Sequence, residues 1–590
     1  MNKHSPAAGN AGKPPGIRHK TTADKDDVVR CVIMGALSGT LYLWSMPAVM
    51  WGGLAFIALV PLLVVILKAE RLRQTLVAST AAGLFLFLPG IIWLHYVTIL
   101  GYVLLALYCS VFVIAAAIAV HRLRRLPAPL FILGASSVWV MQEYLRSILL
   151  SGFPWFFLGH SQHAHLLLLQ MADVAGVYGV SFLLFTINAL IALICVRFSA
   201  GKPRIKAVVP AVLIIAVILA LWTSYGAMRM ARMKPRRLGF TVGMVQGNIP
   251  QSLKEIDDPS LTAGGIIDKF LDLSEQLKDS DKESAKEPLG LVIWPETTVI
   301  GNYLLNINPR LLTAAYRLKS FYVQARMAEL TRSLNAPVLT GASSRTAYPP
   351  LYVNTKSELN SATYYGEKVY YNSAYLISRR GGLMGRYDKI HIVPFGEYVP
   401  FEKSLPFLRK YVPFDVSCLP GKRLTAFEMP FPQSNRGGKA RFSVTICYED
   451  TDAPLVRKMA AQDIDFLVNI SNDAWFEESI ELEQHLAAAV FRAVENRICV
   501  VRSGNNGITC VVDPVGRPVA YLEKMVAGQK MRKGFAGTLK APVYGRCETS
   551  LYARVGDLPV LVCSLLVAGL TGFLTLKKRR KQGPEAEAGD

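Results

Sequence analysis

The chain has 590 residues, of which 52% are hydrophobic and 18% are charged, and its formal net charge at pH 7 is +22. This length and apolar fraction exclude a single ordinary soluble domain and predict a membrane-embedded part joined to a globular part. The positive charge would suit nucleic acid, but much of it lies beside the apolar stretches, so we expect no nucleic-acid partner.

Residues 1–30 are polar, rich in Ala, Gly and Pro, and lack the apolar core of a signal peptide, which predicts a disordered cytoplasmic tail. Seven apolar stretches follow, near the roughly 20-residue length that crosses a hydrocarbon core, and they predict a transmembrane bundle of about seven helices over 31–225. One more span is predicted near the C-terminus. The predicted spans are 31–48, 51–67, 75–94, 98–120, 128–149, 168–196, 206–225 and 558–576.

The positions of Lys and Arg predict how these spans are oriented, because cations in short loops stay on the cytoplasmic side. With the N-terminus inside, the outward loop 151–165 carries no charged side chain, and a basic then acidic tail over 577–590 lies inside. The large segment 226–557 is then outside the cytoplasm. Basic residues occupy each loop expected inside: 68–73, 122–125 and 197–206.

Two features of the predicted spans concern packing more than chemistry. Gly35 and Gly39 have the small-xxx-small spacing that allows two helices to approach closely in lipid. Glu143 and Arg146, near the outer end of the fifth span, are interpreted as a local ion pair, with a lipid head-group contact as the alternative. Trp155 follows in an uncharged aromatic turn, a composition typical of a membrane interface.

Cysteine and histidine spacings predict neither a metal site nor a complete set of disulfides. No CxxC or Cys/His spacing is typical of zinc, and three loop histidines are interpreted as a membrane-surface feature instead of ligands. An odd number of cysteines lies in the outer segment, so at least one thiol is free unless it pairs with another chain. The histidines are His160, His163 and His165, and the cysteines are Cys418, Cys447, Cys499, Cys510 and Cys547.

Across 226–557, short Val- and Ile-rich runs alternate with helical stretches, the pattern of packed sheets covered by helices. His485–Arg497 has the periodicity of a helix with one apolar face, and Asp513–Gly516 has the composition of a hairpin turn. The predicted strands are Phe240–Val245, Leu289–Trp294, Ala374–Ile377, Phe442–Ile446, Ile464–Ile470, Ile498–Arg502, Ile508–Val512 and Arg517–Tyr521.

Three reactive residues of this segment are placed where strands are expected to end. Glu296 follows the strand that ends at Trp294, Cys447 follows the one that ends at Ile446, and Lys389 lies just before a Pro- and Gly-containing loop. Reactive groups of α/β folds gather at such strand ends. A thiol, a base and a cation are what acyl transfer from an ester or amide requires. The surrounding spans indicate that the acyl donor is a lipid.

Several motifs resemble those of bacterial apolipoprotein N-acyltransferases, the last enzymes of lipoprotein maturation. The resemblance runs from about residue 31 to the last span. It implies an α/β fold plus a membrane helical bundle, namely a nitrilase-like αββα sandwich domain in the periplasm on about eight transmembrane helices of the inner membrane. The motifs are 152–155, 245–251, 293–296, 393–397, 446–449, 471–476, 505–508 and 549–554.

The resemblance also implies roles for individual residues. Cys447 is expected to be the nucleophile, Glu296 the general base and Lys389 the oxyanion stabiliser. Glu397 is expected to hold Lys389 charged and oriented, beside a wall formed by the residues after the nucleophile. Supporting residues are thus Glu397, Tyr448 and Glu449, and candidate substrate contacts are Trp155, Trp475, Asn472 and Phe395.

By the same resemblance, a phospholipid donates its sn-1 acyl chain to Cys447, and the thioester then acylates the α-amine of a diacylglyceryl-cysteine on an apolipoprotein. No cofactor is expected, and the chain is expected to be a monomer. Two departures stand out: Glu255 occupies a position where the family usually has Trp, and the segment 346–368 is longer than the usual connection.

Two other functions remain open at this point. A membrane-anchored amidase or nitrilase would use the same three residues and pass the acyl group to water. A transporter with an outer binding domain would be a non-enzyme alternative, although the spans carry few of the intramembrane charges that a translocation path uses.

Overall fold

The computed structural model describes residues 17–47, 49, 51–199, 205–255, 259–278, 287–299, 314–344, 371–412, 417–431 and 438–582. A helical bundle comes first, a domain of two β-sheets follows, and a long helix ends the described chain. The extra segment 346–368 lies outside the described residues. The helices of the bundle are α1 (Ile17–Ser45), α2 (Val60–Lys68), α3 (Leu72–Gly90), α4 (Ile99–Leu123), α5 (Ala128–Ile148), α6 (Leu166–Leu169), α7 (Ala172–Ser199) and α8 (Ile205–Arg232).

Among the described residues, six helical stretches are long and apolar enough to cross a membrane, in α1, α3, α4, α7, α8 and the last helix, α15 (Leu558–Gln582). The two other predicted spans take different forms. Gly52–Lys68 is a shorter apolar stretch that combines a 3₁₀ turn with α2. Helix α5 has 21 residues but carries Glu143 and Arg146, both buried. The chain is therefore membrane-integrated, with six apolar helices of spanning length in its described part.

The start of α1 differs from the sequence prediction. Residues 17–30 were expected in a disordered tail, yet α1 begins at Ile17. The extension meets α3, because Gln74 Nε2 donates a hydrogen bond to Asp27 Oδ2 at 2.6 Å. Further along the two helices, Gly35 allows the close approach predicted from its spacing: a Cβ there would lie 2.1 Å from the backbone oxygen of Ala78.

Two six-stranded sheets and one two-stranded sheet form the domain that follows the bundle, here called the sandwich domain. The strands are β1 (Arg237–Gln246), β2 (Leu289–Ile293), β3 (Val338–Ser344), β4 (Tyr371–Ile377), β5 (Leu383–Asp388), β6 (Ala426–Pro430), β7 (Lys439–Ile446), β8 (Phe466–Ser471), β9 (Cys499–Gly504), β10 (Cys510–Val512), β11 (Pro518–Tyr521), β12 (Lys524–Val526), β13 (Gln529–Met531) and β14 (Gly537–Tyr544). The strand orders are β14-β1-β2-β3-β4-β5 and β11-β10-β9-β8-β7-β6. All eight predicted strands are confirmed, whereas β3, β5, β6, β12, β13 and β14 were not predicted.

The two sheets face each other and helices cover their outer faces. Phe240 of β1 contacts Phe466 of β8 across the interior, with ring centroids 6.1 Å apart. Helices α10 (Pro259–Glu275) and α11 (Ala314–Ser333) pack on the first sheet, where Phe270 lies against Trp294. Helices α12 (Ala453–Ala460) and α13 (Glu481–Asn496) cover the second sheet. The domain is thus an αββα sandwich, which confirms the predicted fold class. Two short helices, α9 (Gln251–Glu255) and α14 (Leu551–Val555), follow β1 and β14.

Strand directions bring the ends of the key strands together. Strands β2 and β3 are parallel, and β3, β4 and β5 pair antiparallel in succession, so β2 and β5 end at the same edge. In the second sheet β7, β8 and β9 are parallel, and they also end at one edge. The residues that follow these strands are therefore available to form one site between the sheets.

A buried charged contact joins the bundle to the sandwich domain. Asp173 of α7 accepts hydrogen bonds from Tyr225 at 2.6 Å and from Arg229 Nε at 2.7 Å, both on α8. It also accepts from Arg497 Nε at 3.2 Å, immediately after α13. Asp173 and Arg497 are almost fully buried, so this contact fixes α13 against the bundle.

Candidate active site

Glu296, Lys389 and Glu397 form one hydrogen-bonded group at the edge where β2 and β5 end. The Lys389 ammonium lies 2.9 Å from Glu397 Oε1 and 3.6 Å from Glu296 Oε1. Glu397 Oε2 also accepts from the backbone N–H of Val393 at 2.8 Å, which orients the carboxylate. The structure therefore places the predicted base, the predicted cation and its predicted partner together.

Asn372, at the start of β4, is a member of this group that the sequence analysis missed. Its Nδ2 atom donates to Glu296 Oε1 at 2.6 Å and to Glu397 Oε1 at 2.8 Å. An amide that bridges two carboxylates reduces their mutual repulsion without adding charge. Asn372 lies opposite Lys389 on the neighbouring strand, because the Lys389 N–H donates to Asn372 O at 2.8 Å. A polar residue paired with Lys389 in this way is the signal that could have identified it.

Burial and electrostatics together set the charge of Lys389. Its side chain is 1% exposed, and burial alone would lower its pKa. The carboxylates of Glu397 and Glu296 outweigh that effect, so the pKa of Lys389 lies well above its usual value. The ammonium is therefore charged and fixed, as a stabiliser of developing negative charge must be.

Cys447 occupies a strained position between β7 and a 3₁₀ turn, Cys447–Thr451. Its φ angle is +53°, a region that residues with a side chain rarely adopt, and such strain is common at functional sites. Asn469 Nδ2 holds the turn by donating to the Cys447 carbonyl at 3.0 Å. Burial raises the pKa of the thiol, Glu296 raises it further, and Lys389 lowers it. The thiol therefore lies within electrostatic reach of both groups and needs a base to become nucleophilic.

Glu449 links the turn of the proposed nucleophile, Cys447–Thr451, here called the nucleophile turn, to the loop that carries Lys389. Its Oε2 accepts from the N–H of Ile446 at 2.8 Å, and its Oε1 accepts from the N–H groups of Ile390 at 2.6 Å and His391 at 3.0 Å. The hydroxyl of Tyr387 donates to the same Oε1 at 2.8 Å. Burial raises the pKa of Glu449 to about 7, against these hydrogen bonds, which lower it. Four donors on one buried carboxyl group fix both turns relative to each other.

Tyr448 and Trp155 form a wall between the nucleophile turn and the bundle. Their rings are nearly parallel, with an interplanar angle of 7° and centroids 6.2 Å apart. The Tyr448 hydroxyl donates to the Gly152 carbonyl at 3.4 Å, in the loop that carries Trp155. The predicted contact residue Trp155 is thus next to the site, although it comes from the bundle.

Arg146 and Glu143 hold that loop, which corrects the interpretation of a local ion pair. Both side chains lie in the part of the chain that the structure describes, and they do not pair with each other. The Arg146 guanidinium donates to the carbonyls of Phe153, Trp155 and Phe156, the first at 3.2 Å. Glu143 Oε1 accepts from the Leu158 N–H at 2.7 Å. Each of these buried side chains therefore forms hydrogen bonds with backbone groups of the loop, for which lipid offers no partner.

The other three predicted substrate-contact residues lie in three separate parts of the sandwich domain. The backbone N–H of Asn472 donates to Glu296 Oε2 at 2.8 Å, so Asn472 orients the base across the two sheets. The Asn472 side chain donates a hydrogen bond to Gln251 Oε1 and accepts one from Asn505 Nδ2. Trp475 is half-buried in the turn after β8. Phe395 is 38% exposed with a φ of +60°, on the loop that follows Lys389.

A buried ionic cluster behind the nucleophile turn was not predicted from sequence. His485 Nε2 lies 2.8 Å from Asp450 Oδ1, and Arg502 lies 2.9 Å from Asp473 and 3.2 Å from Asp450. Asp473 and His485, with Glu481, could hold a metal ion by proximity. Arg502, however, is a buried cation that already pairs with Asp473. The negative charge of the cluster is therefore compensated by a protein side chain.

Comparisons with known proteins cover both parts of the chain. A family model described as the apolipoprotein N-acyltransferase N-terminal domain matches residues 38–190, and one described as carbon-nitrogen hydrolase matches residues 241–527. The chain is 32% identical over 567 residues to an apolipoprotein N-acyltransferase from Geobacter metallireducens, covering 94% of this chain and 96% of that relative. It is 26% identical over 583 residues to apolipoprotein N-acyltransferase 2 from Treponema pallidum, covering 94% and 97%.

Among solved structures, an amidase of the nitrilase superfamily from Nesterenkonia AN1 matches 52% of this chain and 92% of its own length. The identity is 15% and the TM-score is 0.33.

Proposed function

The chain belongs to the apolipoprotein N-acyltransferase family, and from this premise we propose that it acylates apolipoproteins through a thioester on Cys447. The acyl donor is a phospholipid and the acceptor is the α-amine of a diacylglyceryl-cysteine. Members of the family are enzymes, so the alternative of a transporter with an outer binding domain is wrong. The observation that carries the mechanism is the clustering of Glu296 and Lys389, 3.6 Å apart, within electrostatic reach of the Cys447 thiol.

In the first half-reaction, Glu296 takes the proton from the Cys447 thiol. The thiolate attacks the ester carbonyl of the phospholipid, a C–S bond forms, and the Lys389 ammonium stabilises the negative charge on oxygen. The ester C–O bond then breaks, and Glu296 returns the proton to the lysophospholipid alkoxide. The acyl chain remains on Cys447 as a thioester.

In the second half-reaction, Glu296 takes a proton from the acceptor amine as the amine attacks the thioester carbonyl. A C–N bond forms, the C–S bond breaks, and the proton returns to the Cys447 thiolate. Lys389 stabilises the second oxyanion in the same way. The order of these steps predicts ping-pong kinetics, with the lysophospholipid released before the acceptor binds.

The topology supports a site that faces the outer side of a membrane. Helix α8 leads directly into β1, and β14 leads through α14 into α15, so the sandwich domain is attached to apolar helices at both ends. Basic residues in the loops expected inside support a periplasmic position of this domain in an inner-membrane enzyme. Both lipidic substrates would then reach Cys447 from the bilayer, and the enzyme would act as a monomer without a cofactor.

The proposal is tested by incubating the detergent-purified protein with a phospholipid of defined acyl chains. We expect an acyl mass on the peptide that contains Cys447, its release on addition of a diacylglyceryl-cysteine peptide, and amide formation on that peptide. A Cys447→Ser variant should not form the thioester, whereas Cys510→Ser, at a buried position of β10, serves as the matched control. A full rate in folded Cys447→Ser would refute the assignment of the nucleophile.

The carbon-nitrogen hydrolase model over residues 241–527 makes hydrolysis the alternative reaction to test. A membrane-anchored amidase or nitrilase would release free fatty acid or ammonia at the same rate with and without the acceptor peptide. We expect acyl transfer to the peptide to exceed hydrolysis, because the stacked rings of Trp155 and Tyr448 form an apolar boundary beside Cys447 that would limit the access of water.

A further inference from the structure

Gln484 belongs to the sandwich domain, but within the described residues its three side-chain hydrogen bonds all go to the bundle. It lies in the first turn of α13 and is 7% exposed. Its Oε1 atom accepts from Trp155 Nε1 at 2.8 Å and from Trp93 Nε1 at 3.0 Å. Its Nε2 atom donates to the Gly90 carbonyl at 3.2 Å. One amide therefore ties together three points of the bundle.

The two tryptophans come from separate segments that Gln484 brings together. Trp93 lies in the 3₁₀ turn after α3, and Trp155 lies in the loop after α5. Their ring centroids are 5.7 Å apart, and Trp93 also packs on Phe476 of the sandwich domain at 4.6 Å. The Trp155 N–H ends on Gln484, and the Trp155 ring lies parallel to that of Tyr448, so the contact between these two rings is apolar. An apolar, dry face suits the hydrocarbon chain of a lipid donor.

The neighbouring residue connects the same helical turn to the nucleophile. His485 Nε2 lies 2.8 Å from Asp450 Oδ1, in the 3₁₀ turn that begins at Cys447. Burial and Arg502 lower the pKa of His485, but Asp450 and Asp473 outweigh them, so the imidazole is held charged against the turn. Gln484 and His485 thus contact the bundle and the nucleophile turn from adjacent positions of one helix.

We propose that Gln484 is a positioning residue for the acyl-donor half-reaction, which acts by holding the indoles of Trp93 and Trp155 as the apolar wall beside Tyr448 and Cys447. This inference rests on the proposed function, since it assigns the wall to the lipid donor. The acceptor amine attacks a chain that is already on Cys447, so its reaction depends much less on the wall. Loss of the Gln484 amide should therefore affect the two half-reactions unequally.

The first test measures each half-reaction separately in detergent-purified protein. Thioester formation on Cys447 from a defined phospholipid is followed by intact mass, and release from the pre-acylated enzyme is followed with a diacylglyceryl-cysteine peptide. Gln484→Met has a side chain of similar length but loses all three hydrogen bonds of the amide. We expect formation to slow by at least about tenfold, the factor that corresponds to one such bond of ordinary strength. Release should stay within about twofold of the wild type. Gln462→Met, at a half-buried turn outside the site, is the matched control.

A double-mutant cycle tests whether Gln484 acts through the indole of Trp155. Trp155→Phe keeps an aromatic ring but removes the N–H donor. If the two residues act together, the double variant forms the thioester no more slowly than the slower single variant. Multiplicative losses would mean that they act independently and would overturn the proposal.

Failure of this inference can be told apart from failure of the proposed function. If the wild type forms no thioester on Cys447, the proposed function itself fails. If the wild type forms it and Gln484→Met matches the wild type, or slows both half-reactions equally, only the role of Gln484 is refuted.

Discussion

The Asn372 amide nitrogen lies 2.6 Å from Glu296 Oε1, so a hydrogen bond from the start of β4 holds the proposed base in place. The same nitrogen donates to Glu397 Oε1 at 2.8 Å. Glu296 is therefore oriented on both of its oxygens, because the N–H of Asn472 holds Oε2 at 2.8 Å. A base that is fixed before substrate binds needs little rearrangement during proton transfer.

Replacing Asn372 by Asp should impair thioester formation more than replacing it by Ala. Asp has the same shape but places a third carboxylate between Glu296 and Glu397, whereas Ala only removes the donor. We expect a loss of about 100-fold for Asn372→Asp, near the lower end of the contribution of a general base, and a smaller loss for Asn372→Ala. Single-turnover acylation of Cys447 measures both. Equal losses would show that charge at this position is unimportant.

The pH dependence of Cys447 alkylation should shift in opposite directions when its two charged neighbours are removed. Glu296 raises the pKa of the thiol, so Glu296→Gln should move the alkylation profile to lower pH. Lys389 lowers that pKa, so Lys389→Met should move the profile to higher pH. Iodoacetamide labelling with peptide mapping at each pH gives the profiles.

The control for this experiment is Lys458→Met, since Lys458 is exposed on α12 and should leave the profile unchanged. Shifts of the same sign in Glu296→Gln and Lys389→Met would contradict the electrostatic arrangement of the three groups.

Glu449→Gln should destabilise the fold and reduce activity despite the similar size of the two side chains. Both carboxylate oxygens accept hydrogen bonds from N–H or O–H donors, so the amide NH₂ of Gln would face a donor in either orientation. Leaving buried donors unpaired costs about 1–3 kcal/mol. Thermal unfolding in detergent should show a lower midpoint, with the exposed Glu428→Gln as control. An unchanged midpoint would mean that the turns are held by other contacts.

Asp173→Asn should loosen the junction between the bundle and the sandwich domain. The Arg497 guanidinium is fully buried, and Asn would leave its charge without a carboxylate partner. Removing one partner of a buried ion pair typically destabilises a protein by about 3–5 kcal/mol. We expect a lower unfolding midpoint and a slower formation of the thioester. Asp272→Asn, on the exposed face of α10, is the matched control, and an equal effect of both variants would refute the role of Asp173.

The sequence predicted the strands that are buried on both faces. It did not predict a strand whose polar side chains are stabilised by tertiary contacts. β7, β8 and β9 contain runs of Val, Ile and Phe, which suit a strand buried on both faces. β5 contains Gly385, Arg386 and Asp388, a composition more typical of a turn. It forms a strand because Arg386 pairs with Asp388 at 2.6 Å and packs over the rings of Tyr371 and Tyr375.

The absence of β3 from the predicted strands also has a tertiary reason. Gly341 lies directly under the loop of the base: a Cβ there would lie 2.6 Å from the Glu296 Cα atom. A strand that must admit the active-site loop so closely cannot carry the bulky residues by which strands are usually predicted.

By itself, the sequence predicted the candidate reactive residues and indicated the membrane attachment of this enzyme. Glu296, Lys389 and Cys447 stand out because chemically distinctive side chains follow strand ends, and apolar runs of spanning length identify membrane helices by composition alone. Only the tertiary structure decided which ordinary polar residues support them. Asn372 and Gln484 act on partners 76 and 329 residues away, and an amide gains its role only when folding places it between the right donors and acceptors.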